Sequence, residues 1–119
     1  AGDALYVPMD VSRAEDVRRG VDATVARWGR VDVLVNNAAT MTFQRVVDLD
    51  EAAWDQVLGV NLKGAFLCAK YCLPHMRPVS AIVNVSSVHV VATGPLVAPY
   101  AASKGGLEAF TRALAAEWD

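Results

Sequence analysis

Three short, nearly continuous apolar runs alternate along this chain with three long segments of helical period, and that alternation most narrows the fold. "ALYVPMDV" (4–11), "VDVLVNN" (31–37) and "SAIVNVSS" (80–87) read as strands. Between and after them, residues 12–29, about 50–75 and about 99–118 read as helices. Ser12 is the expected N-cap of the first, with Glu15 completing a capping box, and Gly29 ends it. Pro74 and Pro78 stop the second, and Pro99 opens the third. Strands so apolar are expected in a parallel sheet covered on both faces, a doubly wound α/β domain.

Size and charge exclude several classes. A chain of 119 residues, 54% hydrophobic and 20% charged, fills one core at most, so residues 1–119 are one domain or part of one. Eleven basic and thirteen acidic residues are spread without a basic stripe, which argues against nucleic acid as a partner. No apolar run approaches the roughly 18 residues of a membrane span, so the expectation is a soluble, cytoplasmic protein. Cys68 and Cys72 lie four apart in an apolar helical pattern without further ligands, which makes them reduced core residues and leaves no metal site. Position 1 is not Met and no strand follows the last helix, so a fragment of a longer protein is expected.

The residues with chemistry sit at strand ends and on one helix. Tyr100 and Lys104, at i and i+4, share a helix face and can converge on one ligand. A free phenol, with a pKa of about 10, exchanges a proton poorly at neutral pH, and a nearby ammonium favours its ionised form. The rival reading is an amphipathic tyrosine beside a solvated lysine. Ser87 ends the third strand, where open parallel sheets bind ligands, although serine also forms turns there. Ser80, Ser86 and Ser103 are left with that turn-forming role. Asn36 and Asn37 end the second strand as ligand contacts or loop caps. Asn61 is a polar residue in mid-helix that either caps or bonds a neighbouring strand or belongs to a polar network at a site. Asp10 ends the first strand, as a ligand contact or a helix-dipole partner.

Asp10-Val11, "NNAA" at 36–39, Asn61, Ser87 and Tyr100-x-x-x-Lys104, in this order and spacing, resemble the short-chain dehydrogenases/reductases across the whole chain. The resemblance implies a Rossmann-like domain with a nicotinamide cofactor, NAD or NADP, and an alcohol or ketone substrate. It implies Tyr100 as general acid and base, with Lys104 lowering its pKa and holding the ribose hydroxyls. Ser87 would bond the substrate oxygen, and Asn61 would hold a relay water. Asp10 and Val11 would contact the adenine, while Asn36, Asn37 and Ala38 would pass under the cofactor. A homodimer or homotetramer through the helices around 51–75 and 99–118 is implied as well.

The sequence also departs from the family pattern. Ala39 stands where glycine is usual, and His89 and Val90 follow Ser87 in a loop that, with Val91, Thr93 and Leu96, would line the substrate pocket. His89 reads as a substrate contact or as a solvated loop residue. No TGxxxGxG turn occurs in these residues, so by resemblance they supply strands 3, 4 and 5 of the order 3-2-1-4-5-6, leaving unpaired edges. The 119 residues alone are therefore expected not to bind cofactor tightly or turn over. The alternative is a truncated or degenerate relative that binds a partner or nucleotide without catalysis.

Overall fold

A computed structural model describes residues 3–118. Helix α1 (Ala14–Trp28) leads to strand β1 (Val33–Asn36). A helical stretch follows, made of α2 (Glu51–Leu58), a π turn at Gly59–Lys63, α3 (Gly64–Cys72) and a 3-10 turn at Leu73–His75. Strand β2 (Ala81–Asn84) and helix α4 (Ala98–Glu117) complete the order. The strands pair in parallel, with Val33 opposite Ala81 and Asn36 opposite Asn84. This is the expected α/β arrangement.

The apolar period explains the inner layer. Val17 and Val21 of α1 meet Val31 and, from α3, Leu67, Cys68 and Cys72 in one buried cluster, with Leu34 of β1 packed against it. Crossovers that step across a parallel sheet in one direction place their helices on one face. Leu34, Asn36, Ile82 and Asn84 are accordingly the covered side of the strands. The expectation of cover on both faces is corrected for the described residues: Val33 and Val35 are 58% and 56% exposed on the other face.

Two local expectations are also corrected. Residues 4–11 run without a strand ladder, because neither β1 nor β2 lies beside them; this is the gap the strand order implies. The capping box at Ser12 and Glu15 does not form. Arg13 is the N-cap of α1 and makes no side-chain cap bond. Asp10 takes over, its Oδ1 accepting from the Ser12 backbone N–H at 2.9 Å and from Ser12 Oγ at 2.6 Å. Asp16 Oδ2 reaches back to accept from the Asp10 N–H at 2.9 Å. A carboxylate is a stronger acceptor than a serine hydroxyl, and two of them satisfy this turn. Gly29 ends α1 as expected, at φ 80°.

Close approaches fix how the helices sit. A Cβ on Gly64 would come within 2.7 Å of Val11 Cγ2, so glycine there lets α3 lie against the residue after Asp10. Leu96 is the only non-glycine residue with positive φ among those described, at 72°, and its carbonyl accepts from the Gln44 N–H at 3.0 Å. That bond ties the loop after β1 to the loop before α4. No helix among the described residues is long and apolar enough to cross a membrane.

Candidate functional site

The carboxyl ends of β1 and β2 point toward the loops that carry most of the singled-out residues, the usual ligand edge of an open parallel sheet. After β2 the chain makes a 3-10 turn at Val88–Val90 with Ser87 as its N-cap. Ser87 Oγ accepts from the His89 backbone N–H at 3.2 Å, which leaves its own O–H free to donate. The His89 ring stands edge-to-face with Tyr100, centroids 5.8 Å apart. The turn thus brings Ser87 and Tyr100 to the same corner.

Lys104, one helical turn beyond Tyr100, is only 2% exposed. Its Nζ lies 5.8 Å from the centre of the Tyr100 ring and donates to the Val85 carbonyl at 2.7 Å. Val85 O is the one acceptor on Nζ among the described residues, so two of its three N–H groups are unspent. Burial pushes the Lys104 ammonium below its ordinary pKa. A buried cation with spare donors next to a phenol has the chemistry to hold a polar ligand.

Asn61 is 2% exposed and sits in the π turn. Its Oδ1 accepts from the Thr40 N–H at 2.8 Å, and its Nδ2 donates to the Thr40 carbonyl at 2.9 Å and to Ser103 Oγ at 3.0 Å. Both amide protons are spent, so the side chain is a clamp between the loop after β1 and helix α4. The network extends further, because Ser103 Oγ donates to the Tyr100 carbonyl at 2.7 Å. Of the two expected roles Asn61 takes the polar network: its partners lie in a loop and in α4, and the expected bond to a neighbouring strand does not form. A π turn inside a helix often marks such a functional position.

The remaining predicted residues lie along the β1 end. Val11, Asn36, Asn37 and Ala38 line one cleft of about 60 Å³ with Asn61 and Gly64, room for the edge of a ligand. The Asn36 side chain is turned inward, donating from Nδ2 to Asn84 Oδ1 at 2.8 Å, whereas Asn37 and Ala38 are exposed. Asp10 is outside that cleft; the bonds from Ser12 hold its carboxyl below the ordinary carboxylate range.

Sequence reasoning missed Ser103 and Asn84. Ser103 is fully buried inside α4 and has no turn-forming role. Its signal was available: a serine three residues after Tyr100 on a helix bonds the carbonyl one turn back. Asn84 bridges Asn36 to Thr111 Oγ1 at 2.9 Å, and its period-2 position on the covered face of a strand was the clue. Ser86 bonds Glu108 at 2.5 Å, again a tie to α4 in place of a turn.

A parallel α/β layer with a polar cluster at its carboxyl edge defines a Rossmann-like protein. Residues 1–119 match the family profile described as enoyl-(acyl carrier protein) reductase. An uncharacterized oxidoreductase of Thermotoga maritima is 40% identical over 115 residues, covering 95% of this chain and 45% of that protein. A cyclopentanol dehydrogenase of Comamonas sp. is 35% identical over 118 residues, covering 98% of this chain and 47% of that one. A double mutant of a Serratia marcescens short-chain dehydrogenase/reductase superposes with a TM-score of 0.94 at 27% identity, covering 98% of this chain and 48% of that structure. The chain belongs to the short-chain dehydrogenases/reductases, and it spans about half the length of the relatives it matches.

Proposed function

We propose that the protein carrying this chain is a nicotinamide-dependent oxidoreductase that interconverts an alcohol and a ketone. The observation that carries the reading is the buried Lys104 ammonium beside Tyr100, at the corner where Ser87 presents a free O–H. The names of its relatives, oxidoreductase and cyclopentanol dehydrogenase among them, support the same reaction class.

The residues fit a nicotinamide cofactor, NAD or NADP. Two unspent N–H groups on Lys104 suit the paired hydroxyls of a ribose, and exposed Asn37 and Ala38 let a ligand approach the backbone. Asp10, Val11 and Asn36 complete the proposed cofactor side. When bound, the nicotinamide supplies or accepts the hydride. Tyr100 exchanges the proton of the substrate oxygen as general acid or base. Ser87 donates its O–H to that oxygen and steadies negative charge developing on it. Lys104 holds positive charge next to the phenol, and Asn61 fixes the loop and helix that aim the group, with a relay water at the π turn.

Residues 1–119 are the proposed central part of one dinucleotide-binding catalytic domain, and taken alone they are proposed to be inactive. A second copy packs on the helices around 51–75 and 99–118. Supporting this, a cleft of about 770 Å³ opens between α2, the π turn and α4, bordered by Leu58, Leu62, Phe66 and Phe110. The test of the reaction is a panel of secondary alcohols offered to the full-length protein with NAD and with NADP, followed by nicotinamide absorbance. Turnover of at least one alcohol is expected; a protein that binds cofactor and turns over none overturns the reading.

A further inference from the structure

We infer that Glu108 is a positioning residue: through its bond to Ser86 it anchors the end of β2 to α4 and so fixes Ser87 relative to Tyr100. This rests on the alcohol and ketone chemistry proposed above, in which Ser87 and Tyr100 together hold the reacting oxygen.

Three successive residues at the end of β2 are each tied to α4. Asn84 Nδ2 donates to Thr111 Oγ1 at 2.9 Å, and the Val85 carbonyl accepts from Lys104 Nζ at 2.7 Å. Ser86 Oγ then donates to Glu108 Oε2 at 2.5 Å. The sheet itself ends just before this point. The Val85 N–H still donates to the Asn36 carbonyl at 3.1 Å, and among the described residues no later bond to β1 follows. The next bonds are local, from the Val90 N–H to the Ser87 carbonyl and from the His89 N–H to Ser87 Oγ. Ser86 is therefore the last hold on the chain before Ser87 that reaches outside its own turn.

The helix that makes this hold is the one that carries the phenol. Tyr100, Lys104 and Glu108 follow at intervals of four along α4, and residues so spaced are neighbours on successive turns. Glu108 is half-buried, and no ion pair among the described residues includes it. Drawing a carboxylate partly out of water costs free energy, which the bond from Ser86 offsets. A hydroxyl on a carboxylate at this distance makes a charge-assisted bond, roughly twice as strong as a neutral one. Without it, the nearest tie of Ser87 to α4 is the Val85 carbonyl, two residues back. A shift of about 1 Å at a reacting group can lower a rate about a hundredfold, so the bond acts on turnover as well as on packing.

The experiment measures kcat, alcohol KM and cofactor Kd of the full-length protein with the alcohol of the panel that it oxidises fastest, at a temperature well below every variant's thermal midpoint. Ser86→Ala removes the donor, and Glu108→Leu removes the acceptor at similar size. Each is expected to lower kcat about ten- to hundredfold, with KM and Kd within about twofold. The double variant is expected to be no slower than the slower single one, because both break the same bond. Glu108→Gln keeps an acceptor oxygen at the same reach and should restore kcat to within about threefold. Thr111→Val cuts the tie from Asn84, farther from Ser87, and should leave kcat within about twofold. The proposal is overturned if the Gln variant is as slow as Leu, if Thr111→Val slows turnover as much, or if the two single losses multiply in the double variant. It falls together with the reaction itself if the unaltered protein turns over no alcohol, and alone if turnover is present and insensitive to Ser86 and Glu108.

Discussion

Replacing Asn61 by leucine removes the three hydrogen bonds that join the loop after β1 to helix α4, at 2.8, 2.9 and 3.0 Å. At about 1 kcal/mol net per neutral bond the loss is about 3 kcal/mol, less whatever leucine regains by apolar burial, leaving about 2–3 kcal/mol. Ser103→Ala removes one bond shared with Asn61 and one to the Tyr100 carbonyl, for about 1–2 kcal/mol. The double variant should lose less than the sum by about 1 kcal/mol, because the shared bond is counted in both single changes. Urea unfolding midpoints for the four proteins, at one fixed concentration, give that coupling. Additivity within about 0.3 kcal/mol would refute the idea that Asn61 and Ser103 form one clamp.

Three further outcomes follow from other parts of the structure. Gly64→Ala should destabilise by about 1–3 kcal/mol despite alanine's better helix propensity, since its Cβ meets Val11; a thermal midpoint equal to or above the unaltered one contradicts this. Cys72, pushed up to about 11 chiefly by burial, should react with iodoacetamide in the native protein at pH 8 about a hundredfold more slowly than an unburied thiol. Equal rates would mean that the thiol is not buried in solution. The Asp10 and Asp16 carboxyls are both held below their ordinary 3.8, Asp10 mainly by Ser12 and Asp16 mainly by the Asp10 backbone N–H. A depressed carboxyl stabilises the fold above its unfolded pKa and loses that contribution as pH falls through its folded value. Stability should therefore drop on acidification below about pH 4, and Asp10→Asn with Asp16→Asn should flatten the drop; an unchanged acid limb contradicts it.

The helices and the two paired strands were legible because their periodicity is a property of the chain itself. Asn61 was legible as an anomaly, since a buried amide in mid-helix demands partners. Residues 4–11 carry the pattern of a strand and form no ladder, because pairing depends on what lies beside a segment, and the strand order leaves neither β1 nor β2 beside this one. The capping box failed for a related reason: Asp10 Oδ1 takes the Ser12 backbone N–H that Glu15 would have accepted from, and takes the Ser12 O–H as well. Ser103 and Asn84 were missed because their partners lie 42 and 48 positions away in sequence, at Asn61 and Asn36. The π turn at Gly59–Lys63 has no pattern that separates it from an ordinary helical turn.

The most direct test of the proposed proton exchange is the turnover rate of the full-length protein with Tyr100 changed to phenylalanine, measured alongside cofactor affinity. A loss of several orders of magnitude in kcat, with the cofactor Kd nearly unchanged, is the expected result, because the phenylalanine keeps the ring and removes only the O–H. A variant that retains its rate would remove Tyr100 from the chemistry and leave the Tyr100, Lys104 and Ser87 corner without the role assigned to it.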